Sequence, residues 1–431
     1  MGTPGERTML PFGAALALVS VAGCAIRVAH QLLVMRNLHL GLDSTWYFLE
    51  AGVIRHHGAY ADPNVFTAHR AATAAWPPLY PALLAIVQVV FGDAARTAQL
   101  AGAVMGGVTV ALTGFLARRV ADDVTALFAA ALAAVSPLLV AVDGSLMSET
   151  LFVPLALATA LAVSHAVRRP GLGMWVLAGA FTGLATLTRV DGVLLFLCVV
   201  APAAVFGRER IEMRLRQVAV AGAVVVVVVV PWVARNAARV DSATIATVSS
   251  GTAIGGANCH DAYYGRALGS WSFACIDTQL RTTLDETRWS ARVRDDGARY
   301  AVHHLGRVPV VAAARVARVS GLWPPGDQVD RESLETRSRT WQWIVVVTSP
   351  FVVVAGIAGL VVLGRRGRSI APLAGLVATS ALVALLGYGN TRFRAAAEPA
   401  LLIGIAALLR AWARALRPPA RPGRPTPGLP R

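Results

Sequence analysis

The 431-residue chain contains no lysine, so all 40 of its basic side chains are arginine. Charge of either sign is scarce, at 15% of residues against about 25% in ordinary soluble domains. With 55% hydrophobic residues and a mean hydropathy of +0.57, that scarcity argues against a soluble domain and makes a membrane protein the default. The missing lysine, beside abundant Ala, Val, Gly and Arg, suggests a GC-rich bacterial genome and says little about mechanism. Acid is also short: 40 − 24 leaves a formal charge of +16. A basic balance can indicate nucleic acid. Here the arginines lie between apolar stretches, so orientation against an anionic membrane explains them more simply, and no nucleic-acid partner is expected. Four cysteines are too few for a disulfide-dense scaffold.

What is present is a series of long apolar runs. A bilayer span needs about 20 mostly apolar residues, with a range of roughly 17–25. Ten runs qualify: 9–30, 96–117, 122–141, 148–166, 173–188, 190–206, 217–234, 342–363, 370–388 and 397–414. The 173–188 and 190–206 runs are short and closely joined, and also read as one re-entrant unit. The valine run 224–230 favours strand in water, but in lipid the backbone must satisfy its own hydrogen bonds, so helix is expected. The fold class is an all-α bundle of about ten transmembrane helices with two large extracytoplasmic loops, about 31–95 and 235–341. The modules are 1–234, with the first outer loop; 235–341, with amphipathic helices; 342–414, the C-terminal spans; and a basic tail, 415–431, expected to be disordered.

Arginine sets the orientation. With the N-terminus inside, 18 arginines fall in inner segments and the tail, and only Arg189, Arg392 and Arg394 fall in short outer loops. Both termini are therefore expected in the cytoplasm, across a bacterial plasma membrane. Arg7 with the apolar run 9–23 also fits a cleaved signal peptide, and Val21-Ala22-Gly23-Cys24 a lipoprotein cleavage site. The simpler reading is an uncleaved first span with an ordinary buried Cys24.

The first outer interval opens with Gly41-Leu42-Asp43-Ser44-Thr45-Trp46-Tyr47-Phe48-Leu49-Glu50. If 43–57 is helical, Asp43, Tyr47, Glu50, Ile54 and His57 share one stripe. An acid at a helix start suits the dipole and needs no further role. At 1.5 Å per residue, Asp43 lies about 10 Å from Glu50 and about 21 Å from His57 along the axis, so the three cannot share a metal. Trp76-Pro77-Pro78-Leu79-Tyr80-Pro81 reads as a rigid entry into an interfacial helix with Trp76 and Tyr80 at headgroup level.

Asp43 in a Gly-Leu-Asp-Ser-x-Trp-Tyr setting, followed some thirty residues later by Pro-Pro-Leu-Tyr-Pro, resembles the GT-C glycosyltransferases that use polyprenyl-phosphate sugars. That group includes protein O-mannosyltransferases and lipid A aminoarabinose transferases. The resemblance implies that Asp43 is the catalytic acid of the first outer loop. Some members carry a basic residue just before the double proline, where this chain has Trp76. Glu149, in Ser148-Glu149-Thr150-Leu151, matches a second acid of the family; capping of the next helix is its plainer explanation. Leu187-Thr188-Arg189-Val190-Asp191-Gly192, Pro231-Trp232-Val233-Ala234-Arg235-Asn236 and Thr391-Arg392-Phe393-Arg394 resemble further family patterns.

Those arginines also carry an argument of their own. Arginine in a short outer loop opposes the orientation preference, and guanidinium groups bind phosphate oxygens in a bidentate fork. Arg189, Arg235, Arg392 and Arg394 are expected to converge on a donor phosphate, with Trp76, Tyr80 and Glu50 contacting substrate. From the resemblance follow a polyprenyl-phosphate sugar donor, a lipid, polysaccharide or protein acceptor, and transfer with inversion. A divalent metal is possible but not required. A transporter or flippase of lipid-linked saccharides is the rival class; it would place ionisable residues deep in broken spans. In the second outer loop, Cys259 and Cys275 would close a 15-residue loop, worth about 3 kcal/mol as a disulfide. Cys259, His260 and Cys275 as zinc ligands are the alternative. The 287–323 segment is expected as amphipathic helices broken near Gly306 and Pro309, lying on the membrane with Arg307, Arg315 and Arg318.

Overall fold

All ten apolar runs are helical, and the only strand-like feature among the described residues is an isolated bridge between Ala61 and Ala72. A computed structural model of the chain describes residues 10–37, 39–63, 71–168, 171–207, 209–278 and 284–416. Arg7 and most of the basic tail fall outside that set. The first half runs α1 (Phe12–Leu33), α2 (Leu42–His57), α3 (Leu79–Phe91), α4 (Ala95–Arg118), α5 (Asp123–Val135), α6 (Pro137–Asp143), α7 (Glu149–Ala166) and α8 (Gly173–Thr188). Among the described residues five helices are long and apolar enough to cross a membrane, or six if α5 and α6 count as one bent span. Gly173–Thr188, Val190–Val205 and Ala371–Leu386 are apolar but shorter.

The expected straight span 122–141 is broken. Pro137 has no N–H to continue the ladder, the chain bends by 55°, and the Ser136 hydroxyl caps the new helix at the Leu139 N–H. The 173–188 and 190–206 runs form separate helices, the second carrying a π turn at Phe196–Val200. α1 holds Cys24 half-buried, and its Arg27 is fully buried against Asp143 at 2.5 Å. Three backbone carbonyls, of Gly23, Ala133 and Ala134, take the other guanidinium hydrogens, so this intramembrane charge is compensated by structure.

Small residues set the closest helix contact. Helix Arg339–Arg365 lies against Glu398–Ala415 with Gly359 facing Gly404; a Cβ on Gly359 would stand 1.8 Å from the Gly404 carbonyl oxygen. Close approach of this kind drives association in lipid, where helices gain nothing by hiding from water. The interval between α1 and α4 has its own apolar cluster, built from Trp46, Tyr47, Tyr80 and Leu84 together with Trp289. That cluster ties α2 and α3 to helix Glu286–His303 of the second loop.

The 235–341 segment departs from expectation in one respect. Helices Glu286–His303 and Val308–Ser320 are broken at Leu305–Arg307, near Gly306 and Pro309. Arg315 and Arg318, however, are not laid on a membrane surface. Both are buried: Arg315 donates to the Leu385 and Ala257 carbonyls at 2.8 Å, and Arg318 to Leu268 O and Asp327, each at 2.7 Å. Burying a guanidinium is costly unless its donors are met; three carbonyls and the Asp327 carboxylate meet part of the set, while Arg315 Nε and Arg318 Nη2 have no hydrogen-bond partner among the described residues. Cys259 and Cys275 are joined in a disulfide with a Cα separation of 6.0 Å, so they are not zinc ligands.

Candidate active site

Asp43 sits in the first turn of α2, whose N-terminus begins at Gly41 with no side-chain cap. Glycine is required there because the 334–336 backbone packs on it: a Cβ would meet the Leu334 carbonyl oxygen at 2.4 Å. The Gly41 N–H and the Ser44 hydroxyl both bond Thr336 Oγ1. Thr336 itself has φ 52°, a left-handed conformation costly for a β-branched residue. The strained turn holds Glu335 beside Asp43.

Arg392 is the hub. Its Nη2 lies 3.7 Å from the Asp43 carboxylate, its Nε 3.6 Å from Glu149 and its Nη1 3.5 Å from Glu335. None of the three is within ordinary hydrogen-bond length. Nη2 donates instead to the Tyr388 hydroxyl at 3.0 Å, while Nε and Nη1 have no hydrogen-bond acceptor within the described protein. Arg189 is held more tightly, donating to Glu149 at 2.7 Å, Ser148 Oγ at 3.2 Å and Asp191 at 3.0 Å. Three separated segments thus deliver Asp43, Arg189 and Arg392 to a single cavity of about 550 Å³, and Arg189 ties Glu149 to that group. Trp76, Tyr47, Asp191, Glu335, Tyr388 and Asn390 also line it.

The cavity has two unlike sides. Val193 and Leu194 from the Val190–Val205 helix, with Val383 and Leu386 from Ala371–Leu386, make an apolar one. Ser249, Ser250, Thr252, Ser270 and Trp271 from the 235–341 segment make a hydroxyl-rich one. Burial pushes the Asp43 carboxyl above the usual carboxylate range, against the pull of Arg392. Burial, and then the neighbouring Asp43, push Glu335 up to about 7.

Four expected site residues are placed elsewhere. Arg235 does not line the cavity: helix Ile211–Val240 does not end near position 234 but runs on to Val240. Its guanidinium lies over the rings of Trp232 at 4.9 Å and Tyr60 at 5.6 Å, and bonds the Thr73 and Tyr60 carbonyls. Arg394 is separated from Arg392 by two positions of a 3-10 helix, Thr391–Ala396. At three residues per turn that places it about 240° around the axis, inside the bundle, where it bonds Glu398 at 2.8 Å, Ser349 Oγ at 2.9 Å and Val319 O at 3.2 Å. Glu50 lies two turns along α2 from Asp43, fully buried behind the aromatic cluster, where burial raises it to about 8. Tyr80 is one layer behind the cavity wall, edge-on to Tyr47 at 5.1 Å.

Glu335 and Tyr388 are the residues that sequence reasoning missed as site members. The signal for Glu335 was faint: an acid in Glu332-Ser333-Leu334-Glu335-Thr336-Arg337, just before a long apolar run. Glu332 fastens that segment, accepting from Thr391 N at 3.0 Å, Thr391 Oγ1 at 2.8 Å and Arg337 at 2.5 Å. Among the described residues no three His, Cys, Asp or Glu side chains are grouped as ligands of one metal ion; Arg392 stands between the acids.

Residues 75–234 match the model of a family described as dolichyl-phosphate-mannose-protein mannosyltransferase. The chain is similar to the oligosaccharyltransferase AglB from Archaeoglobus fulgidus, solved with an inhibitory peptide and a dolichol-phosphate. Identity is 17% and the TM-score 0.54, over 96% of this chain and 52% of that one. It is also similar to ArnT from Cupriavidus metallidurans bound to undecaprenyl phosphate, at 16% identity and TM-score 0.47, over 94% and 79% of the two chains. No curated protein sequence matches it. The fold is that of the GT-C glycosyltransferases, a multi-span membrane class. The chain spans about half the length of the archaeal oligosaccharyltransferase.

Proposed function

We propose that the protein is an integral membrane glycosyltransferase that moves a hexose or pentose from a polyprenyl-phosphate donor to a hydroxyl acceptor. The transfer occurs on the extracytoplasmic face of a bacterial plasma membrane, with about ten spans and both termini inside. The observation that carries this reading is the convergence of Asp43, Arg189 and Arg392 on one cavity with an apolar and a hydroxyl-rich side, with Glu149 bonded to Arg189. The apolar side suits the lipid and the hydroxyl-rich side the acceptor.

Asp43 is the general base. The acceptor O–H loses its proton to the carboxylate as its oxygen attacks the anomeric carbon. The bond from that carbon to the phosphate oxygen breaks, its electron pair leaves with the lipid phosphate, and the anomeric centre inverts. A carboxylate raised by burial is a better base than one in water. The open Nε and Nη1 of Arg392 stabilise the charge gathering on the phosphate, and Arg189 holds Glu149 in place against the donor or acceptor sugar. Arg235 and Arg394 belong to the scaffold in this reading. Membranes assayed with a panel of polyprenyl-phosphate sugars test it. Asp43→Asn is expected to lose about 10²–10⁴ in rate, and unchanged transfer removes Asp43 as the base.

A further inference from the structure

We infer that Glu335 stands as the un-ionised carboxyl and donates a hydrogen bond to the donor phosphate, so that the site takes up a proton together with its anionic substrate. This rests on the reading of the cavity as a phosphodiester site. Glu335 lines that cavity, 3.5 Å from Arg392 Nη1, and its Oε2 is buried with no hydrogen-bond partner among the described residues. Its position is imposed from three directions. The left-handed Thr336 bonds the N-terminus of α2, Glu332 ties the turn to Thr391, and Arg337 bonds Glu332. A carboxyl placed at such conformational cost, beside another acid and with a free oxygen, has a use in the cavity rather than in the scaffold.

Charge decides which form of Glu335 suits an anion. Facing it are Asp43 from α2, Glu149 at the start of α7, Arg392 and Tyr388 from the segment before the last span, and Arg337 from its own turn. Arg189 and Asp191 lie across the cavity, and Arg331 at its edge is engaged by Asp327. Of the charged residues that line the cavity, Asp43 and Asp191 ionised against Arg189 and Arg392 leave 2 − 2 = 0, with Arg331 paired to Asp327. Ionising Glu335 makes the set negative by one, against a phosphodiester carrying one negative charge of its own. Protonated, Glu335 removes the repulsion and offers the phosphate a donor in place of an acceptor. Its raised affinity for protons, with a midpoint of about 7, places this exchange near neutrality. Below that midpoint the site is ready for the anion, and above it a proton must be taken up on binding.

The test uses the full chain in proteoliposomes and farnesyl phosphodiesters of mannose, glucose and arabinose, whose single charge is fixed between pH 5 and 9. Wild-type binding is expected to weaken about tenfold per pH unit above pH 7, the slope of one linked proton. Glu335→Gln, which keeps a donor but cannot ionise, should bind with a flat profile. Glu335→Asp should bind more weakly but keep the slope. A merely structural Glu335 would lower affinity or stability in the Gln variant while leaving the slope intact, and that result overturns the inference, as does a flat wild-type profile. If no phosphodiester binds at any pH, the glycosyltransferase reading fails instead. Infrared difference spectra between pH 6 and 9 then decide the protonation. A protonated-carboxyl band present in wild type and absent in Glu335→Gln supports it, and identical spectra sink it.

Discussion

At the scale of the residue, four arginines with similar sequence signals have three different fates. Arg392 lines the cavity with two buried nitrogens that have no hydrogen-bond acceptor among the described residues, Arg189 is shared among Ser148, Glu149 and Asp191, and Arg235 and Arg394 are spent on carbonyls and side chains of the scaffold. Kinetics should separate them. Arg392→Ala is expected to lower kcat by about 10²–10³, as for loss of one preorganised donor to a developing anion. Arg394→Ala should instead lower the melting temperature, since it leaves buried Glu398 without its partner. An Arg394 variant of normal stability and poor kcat would return that residue to the site. Glu50 offers a pH test. Its folded-state value of about 8 lies above that of an unfolded glutamate, so the folded chain binds more protons. Its penalty is absent in acid and grows as pH rises from about 4.5 toward 8. Glu50→Gln should therefore raise the melting temperature at pH 8 and change it little at pH 4.5; the opposite ordering would mean that Glu50 is ionised in the fold.

At the scale of the element, the Glu332–Arg337 turn matters most to the site and was least legible. Its residues have no periodicity and match no family pattern quoted for the chain, and only its docking on Gly41 and Thr391 gives Glu335 a neighbour. Gly41→Ala should disturb the site from a distance, because the added Cβ meets the Leu334 carbonyl at 2.4 Å. The expected result is a loss of transfer of tenfold or more with the spans intact by circular dichroism. A fully active Gly41→Ala protein would show that the turn does not need this approach. The helical spans themselves were legible to within a few residues, since apolar length is a local property. The break at Ser136–Pro137 could have been read from the proline; the burial of Arg315 and Arg318 could not, because a helix with Arg beside Val and Ala looks the same on a membrane as under a loop.

At the scale of the whole molecule, the proposed topology puts the cavity outside and the loop after α4 inside. With Cys24 and Cys198 replaced, a cysteine at exposed position 288 should react with an impermeant reagent added to intact cells, and one at exposed position 118 should react only after lysis. The reverse pattern would invert the orientation and with it the side on which sugar is transferred.

The sequence by itself determined the membrane class, the helical spans and the acid at the start of α2, because apolar length, arginine bias and a local motif are all read over short stretches. It also brought Glu149, Arg189 and Arg392 to attention, through their place near the ends of apolar runs. Only the tertiary structure decided which of those charges meet. Whether a guanidinium faces a cavity or a carbonyl depends on helix rotation, on where a helix stops and on which turn docks beside it. Those are properties of packing between distant segments, and Asp43 acquires its partners Arg392 and Glu335 across roughly 350 and 290 positions of chain by that packing alone.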